Sequence, residues 1–190
     1  MKVDNLEQFK TEVKKALLAR DTEVVVEHRL ATFKYSRILE AWVIIENNVQ
    51  HCEWGPAIIY SDGTQEWYYN GELHREDGPA IIKVDGTQQW YCMNKLHRTD
   101  GPAIIGPDGT QEWYCMGKRH RSNGPAVISP DGTQEWWYMD HRHRTDGPAI
   151  IRASGTQLWY YMGKLHRTDD PAIIYSDGFV EWWVNGKRIR

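Results

Sequence analysis

The sequence has no apolar run approaching the ~20 residues that a membrane-spanning helix needs, so membrane insertion is not expected. It has only three cysteines, Cys52, Cys92 and Cys115, in 190 residues, and so small and odd a number does not build a disulfide framework. The segment MKVDNLEQFK lacks the apolar stretch and small-residue cleavage site of a secretory signal, which makes a cytoplasmic protein the expectation. A net charge of −3 sets no electrostatic preference by itself. There is no glycine-rich phosphate loop, no Gly-x-Ser-x-Gly and no His-Glu-x-x-His. The expectation is therefore a protein that is not an enzyme and needs neither a cofactor nor a metal.

What the chain does have is repetition. His-Arg stands at 74, 97, 120, 143 and 166, a period of 23 residues, with His51 one step earlier. Gly-Pro-Ala follows in the same register from Gly55 to Gly147, and Asp170-Pro171-Ala172 is a near copy. Such a pattern is an array of one supersecondary unit. In residues 97–119, Ala103-Ile104-Ile105 suits a strand, Pro107-Asp108-Gly109 a tight reversal, and residues 110–115 a second, aromatic strand. Met116-Gly117, written Asn70-Gly71 and Asn185-Gly186 elsewhere, is a second turn of the hairpin kind. The fold class that follows is mainly β: a single-layer antiparallel meander or solenoid of 23-residue hairpin repeats.

Residues 1–21 differ. Leu6, Phe9, Val13 and Leu17 recur at spacings of three and four behind Asp4-Asn5, which predicts an amphipathic helix over 4–20 that caps the array. Residues 22–50 read as strands over 22–33 and 38–45, a degenerate repeat in which His28 falls 23 before His51. The array itself runs from 51 to 190. Lys187, Arg188 and Arg190 put charge on the final strand and discourage edge pairing, although self-association through that C-terminal edge stays open.

Alternation along the second strand divides the rings into two ladders. Trp67, Trp90, Trp113, Trp136, Trp159 and Trp182 share a face with Gln65 and its equivalents, and are expected in the core beside Ile59 and its equivalents. Tyr68, Tyr91, Tyr114, Trp137, Tyr160 and Trp183 share the other face with Thr64, Glu66 and Asn70, a mixture of rings and polar groups suited to holding a partner protein. Equally, those rings could stack on each other and bind nothing. The repeats also collect 12 of the 23 Lys and Arg residues into segments 95–98, 118–121, 141–144, 164–167 and 187–190. Arg98, Lys118, Arg119, Arg121, Arg142, Arg144 and Arg167 there make the alternative site, for an anionic ligand such as nucleotide, nucleic acid or acidic lipid. Asp77, Asp100, Asp146 and Asp169, each two residues after an arginine, stand ready to neutralise it. The histidines, ~9 to 10 Å apart from repeat to repeat, are too far apart to share a metal, and a structural bond to the neighbouring Asp-Gly loop is expected for them.

The Asp-Gly turns and aromatic strands at this period resemble the MORN repeat family, over residues 51–190. The closer likeness is to a variant written here as residues 70–80, NGELHREDGPA, of the kind seen in giant-virus and large-phage proteins. The resemblance implies side-by-side β-hairpins, a scaffold role, partner segments bound along the sheet, a link to membrane surfaces and no shared catalytic residues. The viral variant implies a host protein as partner and a counter-defence role. The recurring His-Arg and Gly-Pro-Ala depart from the usual MORN pattern, and that departure bears most on the lipid association.

Overall fold

The structure, a computed structural model, describes residues 1–27 and 31–190, with Leu6 described by its backbone alone. His28, which the 23-residue step aligns with His51, lies outside the described residues. The chain is mainly β, with one N-terminal helix and an antiparallel sheet of successive hairpins that repeats about every 23 residues. Among the described residues the sheet does not close into a barrel. Two compact units divide it, Met1–Lys95 and Leu96–Arg190.

In the first unit, α1 (Leu6–Ala19) starts where Asn5 accepts the Gln8 N–H at 2.8 Å and ends where Arg20 turns left-handed at φ 51°. Phe9, Val13 and Ala16, at spacings of four and three, share one apolar cluster with Val26, Phe33, Trp42 and Ile44. Phe9 and Val13 are fully buried there. The sheet begins with β1 (Val25–Glu27), β2 (Ala31–Ser36) and β3 (Ala41–Glu46), each antiparallel to the next. Six-residue strands pair fully across β2 and β3, with Tyr35 opposite Trp42, unlike anything in the repeats that follow. Tandem hairpins succeed them: Ile58–Tyr60 pairs with Gln65–Glu66, which pairs with Ile81–Ile82 and so on to Gln88–Gln89.

The second unit repeats one motif. Ile104–Ile105 pairs with Gln111–Glu112, which pairs with Val127–Ile128, and the order continues through Gln134–Glu135, Ile150–Ile151, Gln157–Leu158, Ile173–Ile174 and Val180–Glu181. The predicted second strand over 110–115 is broken at Trp113. Tyr114–Cys115 instead pairs with Lys118–Arg119 in a separate two-stranded hairpin, and the same happens in each repeat. The cause is the hydrogen bonding of the tryptophan: Trp113 N–H donates to Ala126 O of the next repeat while its own carbonyl accepts from His120 N–H. Each repeat thus supplies four strands of two residues, two to the sheet and two to a side hairpin.

The turns follow the sequence. At Asp108-Gly109 the aspartate accepts the Thr110 N–H at 2.9 Å, and Gly109 takes φ 89°, a value L side chains rarely adopt. At the second turn Met116 and Gly117 both have positive φ, the two-residue hairpin geometry that Asn-Gly favours. The expected tryptophan core is corrected by the burial. The ladder tryptophans and Ile59, Ile82, Ile105, Ile128, Ile151 and Ile174 are all half-buried. Fully buried instead are Ala80, Ala103, Ala126 and Ala149 of Gly-Pro-Ala and Ala172 of its near copy; the carbonyls of Ala80, Ala126, Ala149 and Ala172 accept the tryptophan N–H of the preceding repeat. All three cysteines are free thiols, and burial pushes the Cys52 thiol up to about 11.

Candidate functional site

Trp67, Trp113, Trp136 and Trp159 each carry the arginine of the following His-Arg pair, eight residues on. The guanidinium of Arg75 lies 4.2 Å from the centroid of Trp67, Arg121 3.9 Å from Trp113, Arg144 4.0 Å from Trp136 and Arg167 4.2 Å from Trp159. These are cation–π contacts, and they hold the guanidinium plane fixed. The same arginines donate to the proline carbonyl four residues on, as Arg144 does to Pro148 O at 3.3 Å. Aspartate closes the arrangement at Arg75–Asp77, Arg98–Asp100 and Arg144–Asp146, with Nε–Oδ1 distances of 2.8, 2.8 and 2.9 Å. In the last of the series Arg167 pairs with Asp170 at 2.7 Å rather than with the expected Asp169. Arg75, Arg98 and Arg144 hold the carboxyls of Asp77, Asp100 and Asp146 below their ordinary range.

Between successive His-Arg loops the surface opens into clefts of equivalent lining. In the first unit one of about 750 Å³ lies between residues 52–55 and 74–77, with Trp67, Tyr68 and Tyr69. In the second unit three follow at one-repeat intervals. Trp113, Tyr114 and Cys115 line the first (about 490 Å³), Trp136, Trp137 and Tyr138 the next, and Trp159, Tyr160 and Tyr161 the last (about 630 Å³ each). Comparison with protein-family models and with curated proteins finds no match.

Of the six rings read from sequence as the binding ladder, Tyr68, Tyr114, Trp137 and Tyr160 line these clefts, while Tyr91 and Trp183 line none of the four. All six are half-buried. Their polar tips meet the residue two positions back, the neighbour that alternation places on the same face. Tyr68 donates to Glu66 at 3.0 Å, Tyr114 to Glu112 at 2.9 Å, Trp137 to Glu135 at 3.0 Å, Trp183 to Glu181 at 2.8 Å and Tyr91 to Gln89 at 3.3 Å. Tyr160 is the exception. Its partner position is Leu158, and it packs on an apolar cluster of Ile150, Leu158 and Ile173 with Leu165 beside it.

Burial first, and the neighbouring carboxylate second, push the Tyr68, Tyr91 and Tyr114 hydroxyls above their ordinary value. The folded chain holds these protons more tightly than the unfolded one. Their stabilising contribution is complete below the unfolded value of about 10 and is lost as pH rises through the folded values. Thermal unfolding should show stability falling above about pH 10, and Tyr68→Phe with Tyr114→Phe should reduce that fall relative to wild type. An unchanged alkaline slope in the double variant would contradict the assignment.

The seven basic residues of the alternative site fall into three settings. Arg98, Arg121, Arg144 and Arg167 line the clefts. Arg119 and Arg142 belong to the side hairpins and pair with Glu112 at 2.7 Å and Glu135 at 3.1 Å. Lys118 is exposed in the side-hairpin strand just after the Met116-Gly117 turn.

Sequence reasoning missed a second ring ladder, made by the histidines with the exposed Tyr69, Tyr138 and Tyr161. His51–Tyr69–His74 in the first unit, and His120–Tyr138–His143–Tyr161–His166 in the second, run edge to face or tilted with centroids 4.9 to 6.1 Å apart. The expected histidine bond to the Asp-Gly loop is also corrected. His97 Nδ1 accepts the Met116 N–H, His143 Nδ1 that of Met162, and His166 Nδ1 that of Asn185, in each case 19 residues on. These donors are the left-handed residues of the second turns, so each Nδ1 is the acceptor for a backbone N–H that the hairpin itself does not use. The 23-residue recurrence of Tyr69, Tyr138 and Tyr161 against histidine was the signal available.

Proposed function

We propose that the protein is a non-catalytic repeat scaffold that holds an extended segment of a partner protein along the row of clefts. The observation that carries this reading is the three equivalent clefts of the second unit, at one-repeat intervals, each presenting a tryptophan–arginine stack and two further residues, mostly aromatic. Aromatic and arginine side chains held rigid are the residue types that dominate protein-binding surfaces. Equivalent positions two strands apart are separated by roughly 9 to 10 Å, and a segment in the polyproline II conformation advances about 3.1 Å per residue with about three residues per turn, so every third partner side chain meets a cleft. The resemblance to viral and phage MORN-like proteins supports a host protein as that partner, with occupancy of a defence component as the mechanism and the cytoplasm as the place. The general anionic sponge is the weaker reading, because five of its seven basic residues already hold a carboxylate of this chain.

Affinity capture from host lysate at low and high salt, followed by hydrogen exchange on the recovered complex, tests the proposal. A single protein retained at high salt, with protection confined to residues around the three clefts, is expected. Tyr138→Ala with Tyr161→Ala should weaken it strongly while the fold stays intact, since both rings are about half exposed. Tyr91, Tyr114 and Tyr160 are less suited to this test, because removing half-buried rings perturbs fold and site together. Retained affinity in the folded double variant, or capture that collapses with salt as phosphate contacts do, overturns the proposal.

A further inference from the structure

The array breaks its own pattern at one functional position. At the other cleft-lining arginines the guanidinium stacked on or near the repeat has a carboxylate within 2.9 Å: Asp77 for Arg75, Asp100 for Arg98, Asp146 for Arg144 and Asp170 for Arg167. At Arg121 the loop reads Ser122-Asn123-Gly124, so an amide stands where the acid would be. Arg121 keeps everything else. Its guanidinium lies 3.9 Å from the Trp113 centroid, and Nη1 donates to Pro125 O at 3.0 Å. Nε, which takes the aspartate at Arg75, Arg98 and Arg144, while Arg167 uses Nη2, has no carboxylate or other acceptor among the described residues.

Arg121 also lies on the linings of two adjacent clefts, the one with Trp113 and the one with Trp136. Every other Asp, Lys or Arg on those linings belongs to a closed pair, Arg98–Asp100 or Arg144–Asp146. The surplus there is one positive charge. In the first unit the equivalent cleft has the opposite sign, with Glu53, Glu76 and Asp77 around Arg75. A half-buried guanidinium, fixed in plane by an indole and by one carbonyl, leaves the Nε–Nη2 side of its fork to an outside acceptor. That side matches the two oxygens of a carboxylate or phosphate group.

We propose that Arg121 anchors an oxyanion subsite, with the Asn123 amide as a further donor that the aspartate of the other repeats could not supply. As a statement about the partner it rests on the reading of the clefts as the binding surface, and it specifies an acidic or phosphorylated side chain at this step of the segment. As a statement about the protein it stands alone.

The test titrates the full chain with acetate and, separately, with inorganic phosphate, following the arginine Nε–H resonances. A saturable shift at Arg121, absent at Arg98 and Arg144, is expected. Asn123→Asp restores the acid that four other repeats carry at this position, so the fold is preserved, and it should weaken the anion by roughly fivefold or more, the scale of one added charge at ~4 Å in water. Preference for phosphate over acetate beyond its charge would assign the phosphorylated source, and equal response the carboxylate. No saturable shift at Arg121, an equal shift at all arginines, or a shift unchanged by Asn123→Asp overturns the subsite. If a captured partner protects the clefts yet binds Asn123→Asp as tightly as wild type, the scaffold reading stands and the acidic side chain at this step is excluded.

Discussion

Leu158→Glu alone should destabilise the second unit by about 3 to 5 kcal/mol, and Leu165→Arg added to it should recover most of that loss. The expectation comes from comparing repeats. Glu112 faces Arg119 at 2.7 Å, Glu135 faces Arg142 at 3.1 Å and Glu181 faces Arg188 at 3.8 Å, seven residues apart in every case. In the remaining repeat of that unit the same two positions are Leu158 and Leu165, and the site is an apolar cluster with Ile150 and Ile173. A glutamate introduced alone is a carboxylate without its cation at a position only 7% exposed. The pair of substitutions recreates the solution used by its neighbours. Denaturant unfolding of the two single variants and the double variant gives the coupling, expected at about 1 to 3 kcal/mol. Additive losses would mean that the two positions do not communicate.

Phe9→Ala should cost about 3 to 5 kcal/mol in the first unit, the range for removing a fully buried aromatic side chain. Phe9 has no exposed surface and belongs to the cluster formed by α1 with Val26, Phe33, Trp42 and Ile44. Its ring also meets Trp54 edge-on at 6.2 Å, which ties the helix to the first repeat. Hydrogen exchange should locate the loss. Residues of α1, β2 and β3 lose protection together, whereas protection confined to the helix being lost would show that the strands hold without it.

Much of this architecture is legible in the sequence. The helix expected over 4–20 spans Leu6–Ala19 with Asn5 as its cap, because the apolar spacing and the capping residue agree. The 23-residue step and the Asp-Gly and Asn-Gly turns place the hairpins, since glycine and asparagine mark positive φ. The same-face relation of Tyr114 with Glu112 follows from strand alternation and appears as a hydrogen bond. The break at Trp113 is not legible, because alternation runs through residues 110–115 without a punctuating Gly or Pro. It is made by a bond to the next repeat, which local pattern does not encode. Indole size suggests a core position, but in these repeats the tryptophan shields an arginine instead, and the constant eight-residue step from tryptophan to arginine was the available sign. The joint exchange of Glu and Arg for Leu158 and Leu165 is visible in the second unit's repeats, whereas Glu66 with Leu73 and Gln89 with Leu96 blur it earlier in the array, so the contact is not legible from the whole sequence.

The histidine joint has a consequence for how such a chain can change in length. His97 and the Met116 peptide it receives lie 19 residues apart, as do His143 with Met162 and His166 with Asn185. Duplicating or deleting a whole 23-residue unit carries donor and acceptor along together and reproduces each joint. Inserting a single residue inside 97–116 changes that spacing and turns the side chains that follow it in the same strand to the opposite face. Copy number is therefore the inexpensive evolutionary variable and spacing the forbidden one. The number of clefts can rise or fall in whole steps, and the extent of the surface changes without altering its chemistry.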